Sequence, residues 1–546
     1  MHGAQALRYR IAKRMSVIAL VLLLFAATAG LRLVADRARI PLPTLLVLGG
    51  LCVAFVPGLP RLVLDPQTIF LIFIPPLLFW ASITTSLRDL KRNLRAITLL
   101  AVWLVLATMF VVALVAHVML PQLPWAVCFV LGAIVSPPDA VAVIASTRSL
   151  SLPRDTLVIL EGESLVNDAT ALVAYQIALA AVVTGTFSVA HAGVELLVTG
   201  AGGIAVGLAA GWCVGWVRLH MPRSSVVENT LSLLSPFIAF IPANELGCSG
   251  VLAVVAMGLY FGRRGPRVVT AETRLQGTAM WEMLVFLLEG LIFILIGLQL
   301  PQVMQALDKG AIARLVEVSC AVAAAMIAIR LVLIFPGAYL PRWLDRRLGR
   351  ATTPYPPWRH VLFGGWAGIR GGDSLVIALA LPYVALHGAS LPGRAAVIFI
   401  TFVVILITLV VQGLTLAPLI RLLRIAGGKE EEAEERYART ASIQAGAKAL
   451  ERIAAEGPTE LETTAELRNL VAHRLEGLDG SASAAASGHL RARLTMIAEE
   501  REAVIALRDR NEISDTVMRR LQQEFDHEEV LLHQRYGIRD WCSKHS

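Results

Sequence analysis

Acidic side chains flanked by hydroxyl and carbonyl oxygens stand in the middle of apolar stretches, where charge is costly. The first such group reads Ser136-Pro137-Pro138-Asp139-Ala140-Val141. Pro137 and Pro138 remove two backbone donors and leave carbonyls on the preceding turn without partners. Freed carbonyls beside a carboxylate make an oxygen-rich site suited to a hard cation. The second group reads Glu161-Gly162-Glu163-Ser164-Leu165-Val166-Asn167-Asp168. Glu161, Ser164 and Asp168 are spaced by three and four residues, so on a helix they share one face. Glu163 and Asn167 form an adjacent pair at i and i+4. Ser164 and Asp168 can therefore offer oxygens to one ion. Burial favours the neutral form of a carboxylic acid, so such a group can hold a proton and exchange it for a cation.

A positive charge follows much later, in Gly364-Gly365-Trp366-Ala367-Gly368-Ile369-Arg370-Gly371-Gly372-Asp373. Five glycines in nine positions disfavour an unbroken helix there. Arg370 needs a partner at such depth, and Glu163 is the predicted one, which leaves Asp168 free to carry ions.

The elements that hold these groups are membrane spans. Of the 546 residues 56% are hydrophobic and 16% charged, against roughly a quarter charged in soluble domains. Uncharged runs of about 20 residues, the length that crosses the hydrocarbon slab as a helix, recur from Ser16 to Ile420. Thirteen spans are predicted, at about 16–35, 42–60, 66–86, 96–120, 125–146, 157–185, 192–219, 226–246, 249–265, 278–300, 313–340, 358–386 and 394–423. Interruptions in the fifth span (Pro137, Pro138) and the twelfth (Gly371, Gly372) lie seven spans apart. They point to two inverted repeats, spans one to six and eight to thirteen, with the binding site at their interface.

Basic residues cluster in the loops after odd-numbered spans, for instance Arg263, Arg264 and Arg267. The positive-inside bias puts these loops and the C-terminal tail in the cytoplasm. Arg8, Arg10, Lys13 and Arg14 oppose that assignment. Either a twelve-span arrangement applies or translation starts at Met15. The net charge of +8 is spread over short loops, which speaks against a nucleic-acid-binding face. The six cysteines form no CxxC pair, so neither a disulfide framework nor a zinc site is expected. Gly162-Glu163-Ser164-Leu165-Val166 lacks the last glycine of a nucleophile elbow, and there is no HExxH. The expectation is a transporter, with no enzyme activity and no cofactor.

Taken together these stretches resemble the first class of monovalent cation:proton antiporters, the family of bacterial NhaP-like proteins and animal sodium–proton exchangers. The resemblance runs from about Met15 to Leu423. It is carried by residues 136–143, 161–169 and 366–371, by Gly250-Val251-Leu252-Ala253-Val254-Val255, by Phe286-Leu287-Leu288 with Gly297-Leu298-Gln299-Leu300, and by Gln412-Gly413-Leu414-Thr415. It implies an all-α polytopic antiporter fold with broken helices, a homodimer in a bacterial inner membrane, and exchange of Na+ for H+ in pH and sodium homeostasis. Li+ and K+ remain open as substrates, and a K+/H+ antiporter or a cation channel is the alternative. It implies Asp168 as the ion- and proton-carrying carboxylate, with Asp139, Ser164 and Asn167 in the Na+ site. It further implies Glu163 and Arg370 as a structuring ion pair, and electroneutral one-to-one exchange. Departures from the family pattern are Trp80, Pro138, Ala140, Glu289 and Asp373.

Three regions are expected: a basic extension at 1–14, a membrane domain at 15–425 and a helical cytoplasmic tail at 426–546. In the tail, Leu467, Leu470, Val471 and Leu475 recur at helical spacing, as do Val517, Leu521 and Phe525 after a Ser514 cap. Residues 480–488, rich in Gly, Ser and Ala, read as a flexible linker.

Overall fold

A hydrocarbon slab offers the backbone no hydrogen-bond partners, so apolar runs must satisfy their own N–H and C=O groups as helices. The computed structural model follows this rule, and among its described residues the regular structure is helical throughout. It describes residues 19, 22–35, 37–38, 41–54, 66–85, 90–91, 97–147, 152–184, 189–221, 224–268, 271–305, 307, 309–349, 354–383, 391–425, 440, 443–452, 455, 484–510, 521, 524–529 and 531–532. The chain divides into two compact units, Met1–Gly427 and Gly428–Ser546.

In the first unit the helices are α1 (Leu22–Ala35), α2 (Leu42–Ala54), α3 (Pro66–Thr84) and α4 (Val105–Met119), the last preceded by a π-helical turn at Leu99–Leu104. Next come α5 (Trp125–Val135), α6 (Ala140–Thr147), α7 (Arg154–Thr184), α8 (Val189–His220), α9 (Ser225–Glu245) and α10 (Gly250–Val268). The series ends with α11 (Ala271–Gln305), α12 (Lys309–Arg347), α13 (Trp358–Trp366), α14 (Gly372–Leu379), α15 (Arg394–Ile407) and α16 (Gly413–Leu423). A π segment, Thr408–Gln412, joins the last two. Each predicted span coincides with one helix or one broken pair: α5 with α6 form the fifth pass, α13 with α14 the twelfth. Eight of the helices among the described residues are long and apolar enough to cross a membrane by themselves.

Helices in lipid associate through close backbone approach at small residues. Gly203 and Gly207 of α8 lie against the carbonyls of Ser249 and Ala253, so that α8 packs on the start of α10. Gly258 and Gly262, on α10, face the carbonyls of Phe79 and Ile83 of α3. Gly50 of α2 and Gly297 of α11 meet each other's helix at backbone contact. A methyl group would collide with main chain at Gly50, Gly203, Gly207, Gly262 and Gly297, and with Ser82 Cβ at Gly258. His117 Nδ1–H donates to the Leu123 carbonyl at 3.0 Å, and its ring lies against Trp125 at the turn into α5.

The second unit contains α17 (Ala484–Asp509), which buries Ile497 against Leu532, with Leu494 and Phe525 alongside. Arg493 pairs with Glu528, and Arg501 with Asp526 and Glu529. The helix begins inside the stretch predicted as a linker. Ala484, Ala485 and Ala486 are strong helix formers, and the Ser-Gly content of the stretch concealed them. The predicted segment around Leu467–Leu475, the Ser514 cap and the basic stretch at 1–14 lie outside the described residues.

Candidate functional site

The fifth pass breaks where the prolines require it. Pro137 has no N–H for the carbonyl of Ala133, and the Ser136 hydroxyl donates to that carbonyl instead, at 3.1 Å. In a continuous helix the N–H of Asp139 would bond Val135. Here it donates to the carbonyl of Ile369 at 2.8 Å, in the interruption of the twelfth pass. The carbonyl of Val135 is repaid from the same place, since Arg370 Nε donates to it at 2.6 Å. The two interruptions therefore satisfy one another's backbone across the bundle.

The twelfth pass has no regular structure from Ala367 to Gly371, opening with a tight turn in which the Gly368 N–H donates to the Trp366 carbonyl at 2.7 Å. Its loose ends are taken up by the π segment of the thirteenth pass. The N–H of Arg370 donates to Thr408 Oγ1 at 3.2 Å, and Gln412 Nε2 donates to the carbonyl of Trp366 at 2.9 Å. Thr408 and Gln412, the first and last residues of the π segment, both bond the interrupted stretch. Arg394 closes the other end of α14, donating to the carbonyls of Leu379 and Leu381 at 3.2 and 2.9 Å.

Helix α7 delivers the second acidic group to the crossing. Ser164 Oγ accepts from the Ala140 N–H at 3.4 Å and donates to the Pro138 carbonyl at 3.5 Å. Asn167 Nδ2 reaches the same carbonyl at 3.5 Å. Its Oδ1 is buried without a hydrogen-bond partner among the described residues, and the residue is 0% exposed. Asp139, Ser164 and Asp168 line a cavity of about 840 Å³ together with Glu289 and Asp373. The cavity reaches to Arg32, Thr84, Glu161, Glu282 and Arg421. Trp80 forms part of its wall and stacks on Trp281 with ring centres 6.0 Å apart.

The ion pair differs from expectation. Glu163 is bound by Arg330 of α12, through two hydrogen bonds of 2.6 and 3.1 Å, with both side chains almost wholly buried. Arg330 also donates to the carbonyl of Gly364, which ties α7 and α12 to α13. Arg370 is turned to Val135, to the carbonyl of Gly368 at 2.9 Å and to Met326 Sδ. Its guanidinium thus supplies the donor that a helical N–H would supply at the break, and the carbonyls of Val135 and Gly368 accept from it. Arg330 was visible in the sequence as a deep charge, but its partner could not be read without knowing how α12 crosses α7.

The remaining predicted residues fall where the reading of spans requires. Pro137 and Pro138 stand in the first interruption, Gly371 in the second, and Gly372 opens α14. Glu289 and Asp373, left without a role by sequence reasoning, face the same cavity as Asp168. Their signal was present: both were acids at span depth, where the cost of charge makes function the first hypothesis.

Residues 21–422 match the family described as sodium/hydrogen exchanger, transmembrane. An uncharacterised Na+/H+ exchanger of Mycobacterium tuberculosis is 35% identical over 94% of this chain and 96% of its own length. A sodium, potassium, lithium and rubidium/H+ antiporter of Bacillus subtilis is 34% identical over 69% of this chain and 57% of its own. In structure, the sodium proton antiporter MjNhaP1 of Methanocaldococcus jannaschii superposes with a TM-score of 0.58 at 20% identity, over 75% of this chain and 99% of that one.

Proposed function

The chain belongs to the sodium/hydrogen exchanger family, and from that premise we propose that it exchanges Na+ for H+, one for one, at the cavity lined by Asp139, Ser164 and Asp168. One observation carries this reading. The carboxylate of Asp168 shares a cavity with Asp139 and with a hydroxyl, where two interrupted helices cross. Asp168 takes either a proton or a cation. The carbonyl of Pro138, the Ser164 hydroxyl and Asp139 replace part of the hydration shell of the cation, and Asn167 holds the Pro138 carbonyl in place. The two loaded forms carry the same charge, so the cycle moves no net charge. A simple channel has no use for a carboxylate that alternates between proton and cation.

Na+ is the proposed substrate, with Li+ second. The name of the Bacillus subtilis relative, which includes potassium, supports K+ as the alternative. The working form is a homodimer, embedded in the lipid of the bacterial inner membrane with the C-terminal unit cytoplasmic, and it serves sodium and pH homeostasis. The test is proton-gradient dissipation in everted vesicles on addition of Na+, Li+ or K+, with and without an imposed membrane potential. Dissipation by Na+ that ignores the potential fits one-to-one exchange. Dissipation that scales with the potential excludes it.

A further inference from the structure

Asp373 brings an acidic residue of the twelfth pass to the cavity. The two half-helices that begin at the crossing are alike: α6 and α14 span eight residues each, the first directly after Asp139, the second with Asp373 in its first turn. Two glycines fix how they meet. Gly371 is in such close approach to the Asp139 carboxylate that no methyl group fits between them. Gly372 is equally close to Ile292 of α11, one turn from Glu289. Asp373, the next residue, lines the same cavity as Asp168. Asp139, Asp168 and Glu289 line that cavity with it. Two basic groups of the crossing are engaged elsewhere, Arg370 with the Val135 and Gly368 carbonyls and Arg330 with Glu163, while Arg32 and Arg421 line the same cavity.

We propose that Asp373 is a further cation-binding residue of the exchange site, a carboxylate supplied by the twelfth pass that strengthens the hold on a partly dehydrated monovalent cation. The first turn of α14 presents N–H groups and the positive end of a helix dipole to an anion in this position, and the cavity leaves its carboxylate facing the path of the ion. A unit charge within several ångströms of a cation in an environment of intermediate dielectric changes its affinity by an order of magnitude or more. The inference rests on the reading of the cavity as the exchange site.

The experiment compares wild type, Asp373→Asn, Asp373→Glu and Asp168→Asn in two readouts. One is the Na+ concentration giving half-maximal gradient dissipation in everted vesicles, the other the Na+ concentration giving half of the thermal stabilisation of the purified protein. Asp373→Asn is expected to raise both by about tenfold or more, and Asp373→Glu to restore them to within about threefold. The thermal readout still decides if Asp373→Asn folds but does not transport. Half-saturation within about twofold of wild type in Asp373→Asn overturns the inference, as does an equal rise in Asp373→Glu, which marks a packing role. If Asp168→Asn exchanges like wild type, the site reading itself has failed. If Asp168→Asn is inactive and Asp373→Asn saturates like wild type, the assignment of Asp373 alone has failed.

Discussion

Arg330 grips Glu163 with two parallel hydrogen bonds, 2.6 and 3.1 Å long, although the two residues are 167 positions apart. Removing one partner of a buried pair leaves an uncompensated charge and costs about 3–5 kcal/mol. Glu163→Gln and Arg330→Gln are each expected to lower the melting temperature of the purified protein strongly. The double variant should lose much less than the sum. A coupling near zero between Glu163 and Arg330 would contradict the geometry.

Arg370 works through carbonyls. In the same double-variant comparison, the coupling of Arg370 with Glu163 should be clearly smaller than that of Arg330 with Glu163. Arg370→Lys keeps the charge but cannot bond Val135 and Gly368 together with the fork of a guanidinium. It is expected to reduce exchange at least tenfold while the protein still inserts, as seen by transport and by the membrane-fraction yield.

Gly371 and Gly364 separate a close-approach glycine from an ordinary one. A methyl at Gly371 collides with the Asp139 carboxylate, whereas a methyl at Gly364 meets only Ile334 Cδ1 at 3.4 Å. Gly371→Ala should abolish or nearly abolish exchange, and Gly364→Ala should keep at least half of it. Equal activity of the two variants in vesicles would remove the argument that Gly371 is small because Asp139 sits against it.

Thr408 accepts the N–H of Arg370 from the π segment. Thr408→Val keeps the shape and deletes the acceptor, leaving a buried donor unpaired at a cost of about 1–3 kcal/mol. A fall in melting temperature is expected, with Thr408→Ser close to wild type. Equal stability of Val and Ser variants would mean that the hydroxyl carries nothing.

The spans, the two interruptions and the acids were legible in the sequence because a membrane makes each of them expensive. Pro137-Pro138 and the glycines from Gly364 to Gly372 announce broken helices by covalent geometry alone. Ser164 and Asp168 announce a shared face by spacing. Pairings between distant helices were not legible. Nothing local distinguishes Arg330 from Arg370 as the partner of Glu163, because the choice depends on the path of α12 past α7 and on carbonyls that exist only once α5 has broken. The same reason hid the place of Glu289: its depth could be counted along α11, but the direction it faces depends on Gly372 lying against Ile292. In the tail the residue types misled in a simpler way, as the alanines from Ala484 outweighed the serines and glycines around them.

On the proposed mechanism one carboxylate, Asp168, carries proton and cation in turn. Its most direct test is Na+-induced collapse of the proton gradient in everted vesicles bearing wild type or Asp168→Asn at equal membrane levels. The account predicts collapse with wild type and none with Asp168→Asn, across the pH range in which wild type is active. Collapse by Asp168→Asn at the wild-type rate and Na+ dependence would contradict it.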